Sequence, residues 1–237
     1  MIGKAVGFAM RVARWQHRPM NKAFLPLVAV VVFGAGISAA EDSDAKAQQL
    51  ARDVWKASGG ENWAKVKRLR FTFIVEDNGK QVASAEHDWD VAAGTDHVKW
   101  KDKDATVKLS EPGEAEPAKT AYARWTNDSY WLLAPLKVLD PGVKLAYEGE
   151  KEMDGANCET LRLSFAQVGL TPGDQYVLYI DPVTKLVRSW DYIPKAETVM
   201  HGSWEKYENF GGLQLATEHN FAGKMIRFTG VDVSANP

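Results

Sequence analysis

The sequence predicts a mainly β fold. It is a curled antiparallel sheet, a half-open β-barrel of roughly eleven strands, with an N-terminal α-helix and short helical segments as its lid. Three observations carry this prediction. Beyond residue 69 apolar and polar residues alternate with a period of two. The alternating runs are short and end in turn residues such as Asp77-Asn78-Gly79, Asp140-Pro141-Gly142, Asp154-Gly155, Asp181-Pro182 and Gly211-Gly212. Strands joined so tightly pair antiparallel, and a dozen or so in one sheet must curl to stay compact. The aromatic content of 11%, with nine Trp, supplies a broad apolar face to curl around.

One helix precedes the sheet. Ser43 or Asp44 is placed to cap it, Ala47, Leu50, Val54 and Trp55 form one stripe, and Gly59-Gly60 stops it. A short turn with Trp63 and Val66 leads into the first strands.

Segment 69–101 allows its register to be tested. Leu69, Phe71, Phe73 and Val75 alternate with Arg70, Thr72, Ile74 and Glu76 before the Asp77-Asn78-Gly79 turn. A two-residue loop would set Ser84, Glu86 and Asp88 on the Phe face. A three-residue loop with left-handed Gly79 sets Ala83, Ala85, His87 and Trp89 there instead, which keeps the carboxylates out. The next turn, near 92–95, is expected to pair Asp90 with His97, Asp88 with Lys99, Trp89 with Val98 and His87 with Trp100.

Further strands are expected at 106–110, 130–133, 143–148, 160–165, 175–180, 186–193, 198–207, 213–221 and 225–233. Segment 111–119 reads as a polar loop running into a short helical or irregular stretch at 120–125. No repeat and no second domain are visible.

Charge and composition exclude several classes of function. The net charge of −2 gives no basic field for nucleic acid, and the single Cys158 rules out an internal disulfide and a thiolate zinc cluster. The first 40 residues carry Lys4, Arg11, Arg14, Arg18 and Lys22 but no acid. An apolar run from Phe24 to Ile37 ends in Ser38-Ala39-Ala40, the form of a secretory signal peptide cut after Ala40. An uncleaved anchor is the alternative, disfavoured by Pro26, Gly34 and Gly36. Met20 is an alternative start within this leader. Residues 41–237 then form one domain of net charge −7, expected to be periplasmic and monomeric.

No catalytic constellation emerges. His87 is the one titratable group among the inner aromatics; a buried histidine satisfied by one hydrogen bond accounts for it, and a polar cavity residue is the alternative. Asp88, Asp90 and His97 share a face with Lys99 and Lys101, which reads as cross-strand ion pairing rather than a metal cluster. Cys158 has no local His, and no nucleophile motif or phosphate-binding glycine pattern is present. The expected protein is not an enzyme and needs no cofactor or metal. The aromatic surface either fills an ordinary core or lines a ligand cavity.

Several motifs point to a known family. The stretch Asn127-Asp128-Ser129-Tyr130-Trp131-Leu132-Leu133-Ala134-Pro135, the segment from Asp90 to Trp100, and Ile180-Asp181-Pro182-Val183-Thr184-Lys185-Leu186 resemble corresponding stretches of the LolA/LolB-like superfamily of outer-membrane lipoprotein carriers. NDSYWLLAPLKVLDPGVKL followed by VGLTPGDQY is similar to a little-characterised LolA-like branch. The resemblance implies the half-open barrel and a pocket for lipid or lipoprotein acyl chains, with Phe71, Phe73, Trp89, Trp100 and Trp131 as its hydrophobic lining. It also allows a second role, an envelope sensor or interaction module that binds a protein partner. One feature departs from the family: the arginine that locks the lid helix has no counterpart in Val91-Ala92-Ala93-Gly94-Thr95.

Overall fold

The computed structural model describes residues 37–165, 173–195 and 198–235, with side chains from Asp44 onward. Helix α1 (Ile37–Ala57) and the single turn α2 (Gly60–Trp63) come first. Four strands follow: β1 (Arg68–Asp77), β2 (Lys80–Asp90), β3 (Thr95–Trp100) and β4 (Lys103–Lys108). Helix α3 (Ala118–Leu133) then crosses to the strands β5 (Val143–Met153), β6 (Ala156–Phe165), β7 (Gln175–Ile180) and β8 (Val187–Ile193). The chain ends in β9 (Met200–Ser203), β10 (Glu205–Phe210), β11 (Leu213–Phe221) and β12 (Lys224–Ser234).

All twelve strands belong to one antiparallel sheet in the order β4-β3-β2-β1-β12-β11-β9-β8-β7-β6-β5, with β10 pairing β11 off this path. The first and last strands, β1 and β12, are neighbours in its middle, and the edges β4 and β5 do not meet. The sheet is curled and unclosed. Helix α1 packs on β5 and β6, and α3 lies against β3, β4 and β11. Among the described residues no helix is long and apolar enough to cross a membrane.

The first hairpin has the expected register: Leu69 faces Trp89, Phe71 faces His87, Phe73 faces Ala85 and Val75 faces Ala83. Its loop differs. Asn78 and Gly79 form a two-residue turn with φ of 50° and 72°, and a bulge leaves Val82 as the extra residue. The bulge therefore lies in the strand rather than in the turn, with the same effect on which side chains face inward. A Cβ at Gly79 would meet nothing within 4 Å, so only the backbone opposes substitution. Gly79→Val is expected to lower stability by about 1–2 kcal/mol in urea denaturation. Unchanged stability would show that the turn can re-form without positive φ.

The second hairpin is displaced by two residues from the expectation: Asp90 faces Thr95, Asp88 faces His97, Trp89 faces Asp96 and His87 faces Val98. The Asp90 carboxylate accepts a hydrogen bond from the Ala93 amide at 2.7 Å and closes a shorter turn. A shift of two keeps every side chain on its face and moves Asp96, which shares the inner face with Val98 and Trp100, to a place opposite Trp89 and next to His87. Asp88 pairs with Arg68 and Arg70 instead of Lys99.

Three further expectations are corrected. Residues 130–133 are the last turn of α3 and not a strand. The buried positions Ala121, Tyr122, Asp128, Ser129 and Leu132 follow helical spacing, and the helix stops ahead of Pro135. The short helical or irregular stretch expected at 120–125 is part of this same helix of 16 residues. The strand expected at 198–207 breaks at Trp204, whose amide donates to the Arg188 carbonyl between β9 and β10.

Helix α1 is described from Ile37 onward, so Ser43 and Asp44 lie inside it rather than at its N-terminus. The expected cut after Ala40 falls within this helix, and the rest of the leader lies outside the described residues. At its other end Gly59 adopts φ +81°, and a Cβ there would stand 2.1 Å from the Gly212 carbonyl oxygen. The Asn62 amide donates to that same oxygen, and the Gln214 amide donates to the Ser58 carbonyl. Close backbone approach thus docks the helix end onto the β10–β11 turn.

Candidate functional site

The inner face of the sheet beneath α3 carries the residues that the sequence singled out. Phe71, Phe73, Trp89, Trp100 and Trp131 are all buried, at 2–7% exposure. Alternation along β1, β2 and β3 places the first four on one face. Phe71 stacks on His87 with centroids 4.5 Å apart, and Phe73 meets the edge of Phe228 at 5.6 Å. Trp89 makes edge contacts with Trp125 of α3 at 5.2 Å. Trp100 belongs to an adjoining cluster with Val98, Val107 and Tyr122, and the Arg124 guanidinium sits 5.6 Å above its ring.

Trp131 reaches the same interior from α3, further across the sheet. Its ring packs edge-on against Trp190 at 4.7 Å and Phe221 at 4.8 Å. Tyr176 lies 4.7 Å from Trp190. These partners went unrecognised in the sequence, although the alternation of Tyr176, Leu178 and Ile180 would have placed Tyr176 inward. In this state the space is nearly full. A crevice of only about 10 Å³ remains beside Asn127, Tyr130 and Trp131, with room for about one water molecule. The rings pack on each other as a core does.

At the centre of this face lies a polar group that alternation could not reveal. His87 on β2 sits between two carboxylates: Nδ1 is 2.7 Å from Asp96 Oδ2 of β3, and Nε2 is 3.1 Å from Asp128 Oδ2 of α3. All three side chains are at most 3% exposed. The expected histidine with one hydrogen bond therefore has two. Burial alone would pull its pKa down. The hydrogen bonds and charges of Asp128 and Asp96 outweigh that and raise it to about 9. His87 is accordingly an imidazolium at neutral pH, and both its N–H groups donate. Asp128 also accepts from the Asn127 side-chain amide at 2.8 Å. The tie between Asp128 and His87 joins α3 to the sheet.

A second buried histidine, His219, behaves oppositely. Burial lowers its pKa to about 3, against the raising effect of the Ser203 and Ala216 carbonyls. Trp204 and Trp131 pack around the ring, at 4.6 and 5.4 Å. It is neutral and part of the core.

Away from α3, a wider groove of about 640 Å³ lies along β8, β9 and β10, lined by polar Arg188, His201 and Glu205 and by apolar Leu186, Val187 and Trp204 among others. His201 there bonds Asp191 at 2.8 Å and Asp154 at 3.1 Å, all partly exposed. Among the described residues no group of three His, Cys, Asp or Glu side chains is arranged to hold a metal ion.

No protein-family model matches the chain, and neither does any curated protein. Solved structures do resemble it. A DUF1329 family protein from Desulfovibrio piger is 12% identical with a TM-score of 0.48, over 82% of this chain and 95% of that one. A LolA superfamily protein from Nitrosomonas europaea is 8% identical with a TM-score of 0.46, over 79% and 94%. An outer membrane lipoprotein-sorting protein domain, described as putative, from Vibrio parahaemolyticus is 7% identical with a TM-score of 0.48, over 82% and 94%.

Proposed function

We propose that this chain is an exported, non-enzymatic carrier that binds an acyl chain between α3 and the aromatic inner face of its sheet. The observation that carries the reading is the joint between the two. Large aromatic residues from β1, β2, β8 and α3 meet there, Trp100 of β3 joins Tyr122 and Trp125 of α3 in the adjoining cluster, and α3 is tied to the sheet through the buried His87–Asp128 contact. Apolar area that separates along a helix–sheet joint is the surface an alkyl chain can replace. The described state is the closed one. Uptake opens it by lifting α3, and Phe71, Phe73, Trp89, Trp100 and Trp131 then form the hydrophobic lining. The acid-free leader directs the chain to the periplasm as a monomer with Glu41 at its mature N-terminus.

The test is direct. The full chain, expressed with its leader and purified without detergent, is expected to yield an acyl lipid on organic extraction and mass spectrometry. Intact mass is expected to show a chain starting at Glu41. Absence of lipid, together with no uptake of dodecan-1-ol by the purified protein, would overturn the carrier reading. A membrane-bound product that retains residues 20–40 would recast the protein as anchored.

A further inference from the structure

His87 receives its two carboxylates from elements of different kinds. Asp96 stands on β3, hydrogen-bonded along its length to β2, and its carboxylate reaches Nδ1 at 2.7 Å. Asp128 comes from α3, 41 residues away along the chain, at the longer distance of 3.1 Å. Lifting α3 would take Asp128 away and leave Asp96 in place. The Nε2–H of His87 would then face the aromatic space without an acceptor. A buried charged donor left unpaired is costly, and whatever enters that space gains by satisfying it.

We propose that His87 is the head-group site for a carboxylate-bearing amphiphile, the ligand's carboxylate replacing Asp128 on Nε2. The inference rests on the acyl-chain reading above and names the ligand class. Three features favour it. The position opposite Nε2 already accommodates a carboxylate, so a fatty-acid head group fits where the Asp128 carboxylate now lies. A charge-assisted hydrogen bond to imidazolium is stronger than the one a hydroxyl can accept. The surroundings suit the alkyl chain: Phe71 lies against the His87 ring, and Phe73 and Trp89 are its neighbours on the same face. Asp128 thereby acts as an internal competitor for the ligand, closing the site when it is empty.

The experiment compares dodecanoate with dodecan-1-ol, which share a chain and differ in head group, by equilibrium binding at pH 7. The wild-type protein is expected to bind dodecanoate about tenfold more tightly. Asp128→Asn weakens the competing contact while leaving His87, and is expected to raise dodecanoate affinity several-fold. His87→Gln is expected to abolish the preference while dodecan-1-ol still binds. Equal affinity of wild type for both compounds would overturn the head-group site and leave the acyl-chain reading standing. Binding of neither, in wild type and in Asp128→Asn, would overturn both. Should His87→Gln fail to fold, Asp128→Asn decides: no gain in dodecanoate affinity refutes the proposal.

Discussion

Replacing His87 by alanine is expected to destabilise the protein by about 3–5 kcal/mol, the cost of stripping the cation from a buried ion pair. Asp96 and Asp128 would be left facing each other with no donor between them, and Asp96 Oδ1 already lacks a hydrogen-bond partner. The loss should concentrate on α3, because Asp128 is its polar tie to the sheet. Hydrogen exchange of α3 amides is expected to rise more than that of β7 or β8. A loss under 1 kcal/mol would show that the triad does not hold the helix.

The same group makes stability depend on pH, with a definite sign. His87 titrates near 9 in the folded protein and near 6.5 when unfolded. The native state therefore holds a proton that the unfolded state releases between those values. The stabilisation is complete below about pH 6.5, worth up to about 3 kcal/mol, and is lost as pH rises through about 9. Urea denaturation between pH 6 and pH 10 should show this decline in wild type. A variant combining His87→Gln, Asp96→Asn and Asp128→Asn should lack that part of the slope. Parallel curves would contradict the assignment, since all other titrating groups are shared.

The second large effect is expected at Trp131. Truncation to alanine should cost about 3–5 kcal/mol, typical of a buried Trp or Phe. Trp190, Phe221 and His219 would each lose a ring contact, and the small crevice beside Trp131 would become a real cavity. A dry apolar cavity left by a missing indole ring binds apolar molecules. Dodecan-1-ol should then restore part of the lost stability by mass action. Urea denaturation with and without the alcohol measures both quantities. A loss near zero would mean that α3 does not rely on this residue for its packing.

Much of this architecture could be read from residues alone. Alternation is a property of neighbours in the chain, so the inward set Phe71, Phe73, His87 and Trp89 was legible, as were the turns between strands. The curl followed from strand number. Short runs were less secure: Tyr130-Trp131-Leu132-Leu133 has strand-forming residues, but it is the end of a 16-residue helix whose last turn is buried nearly all round. Tertiary structure alone decided the rest. A two-residue slip in one hairpin, closed by the Asp90 carboxylate on the Ala93 amide, carried Asp96 along the inner face to a place beside His87. Helix α3 then brought Asp128 to the other side of the ring. Local pattern records which face a residue prefers. Which distant side chain satisfies a buried charge depends on how separate elements pack, because the cost of leaving it unpaired is met only when they meet.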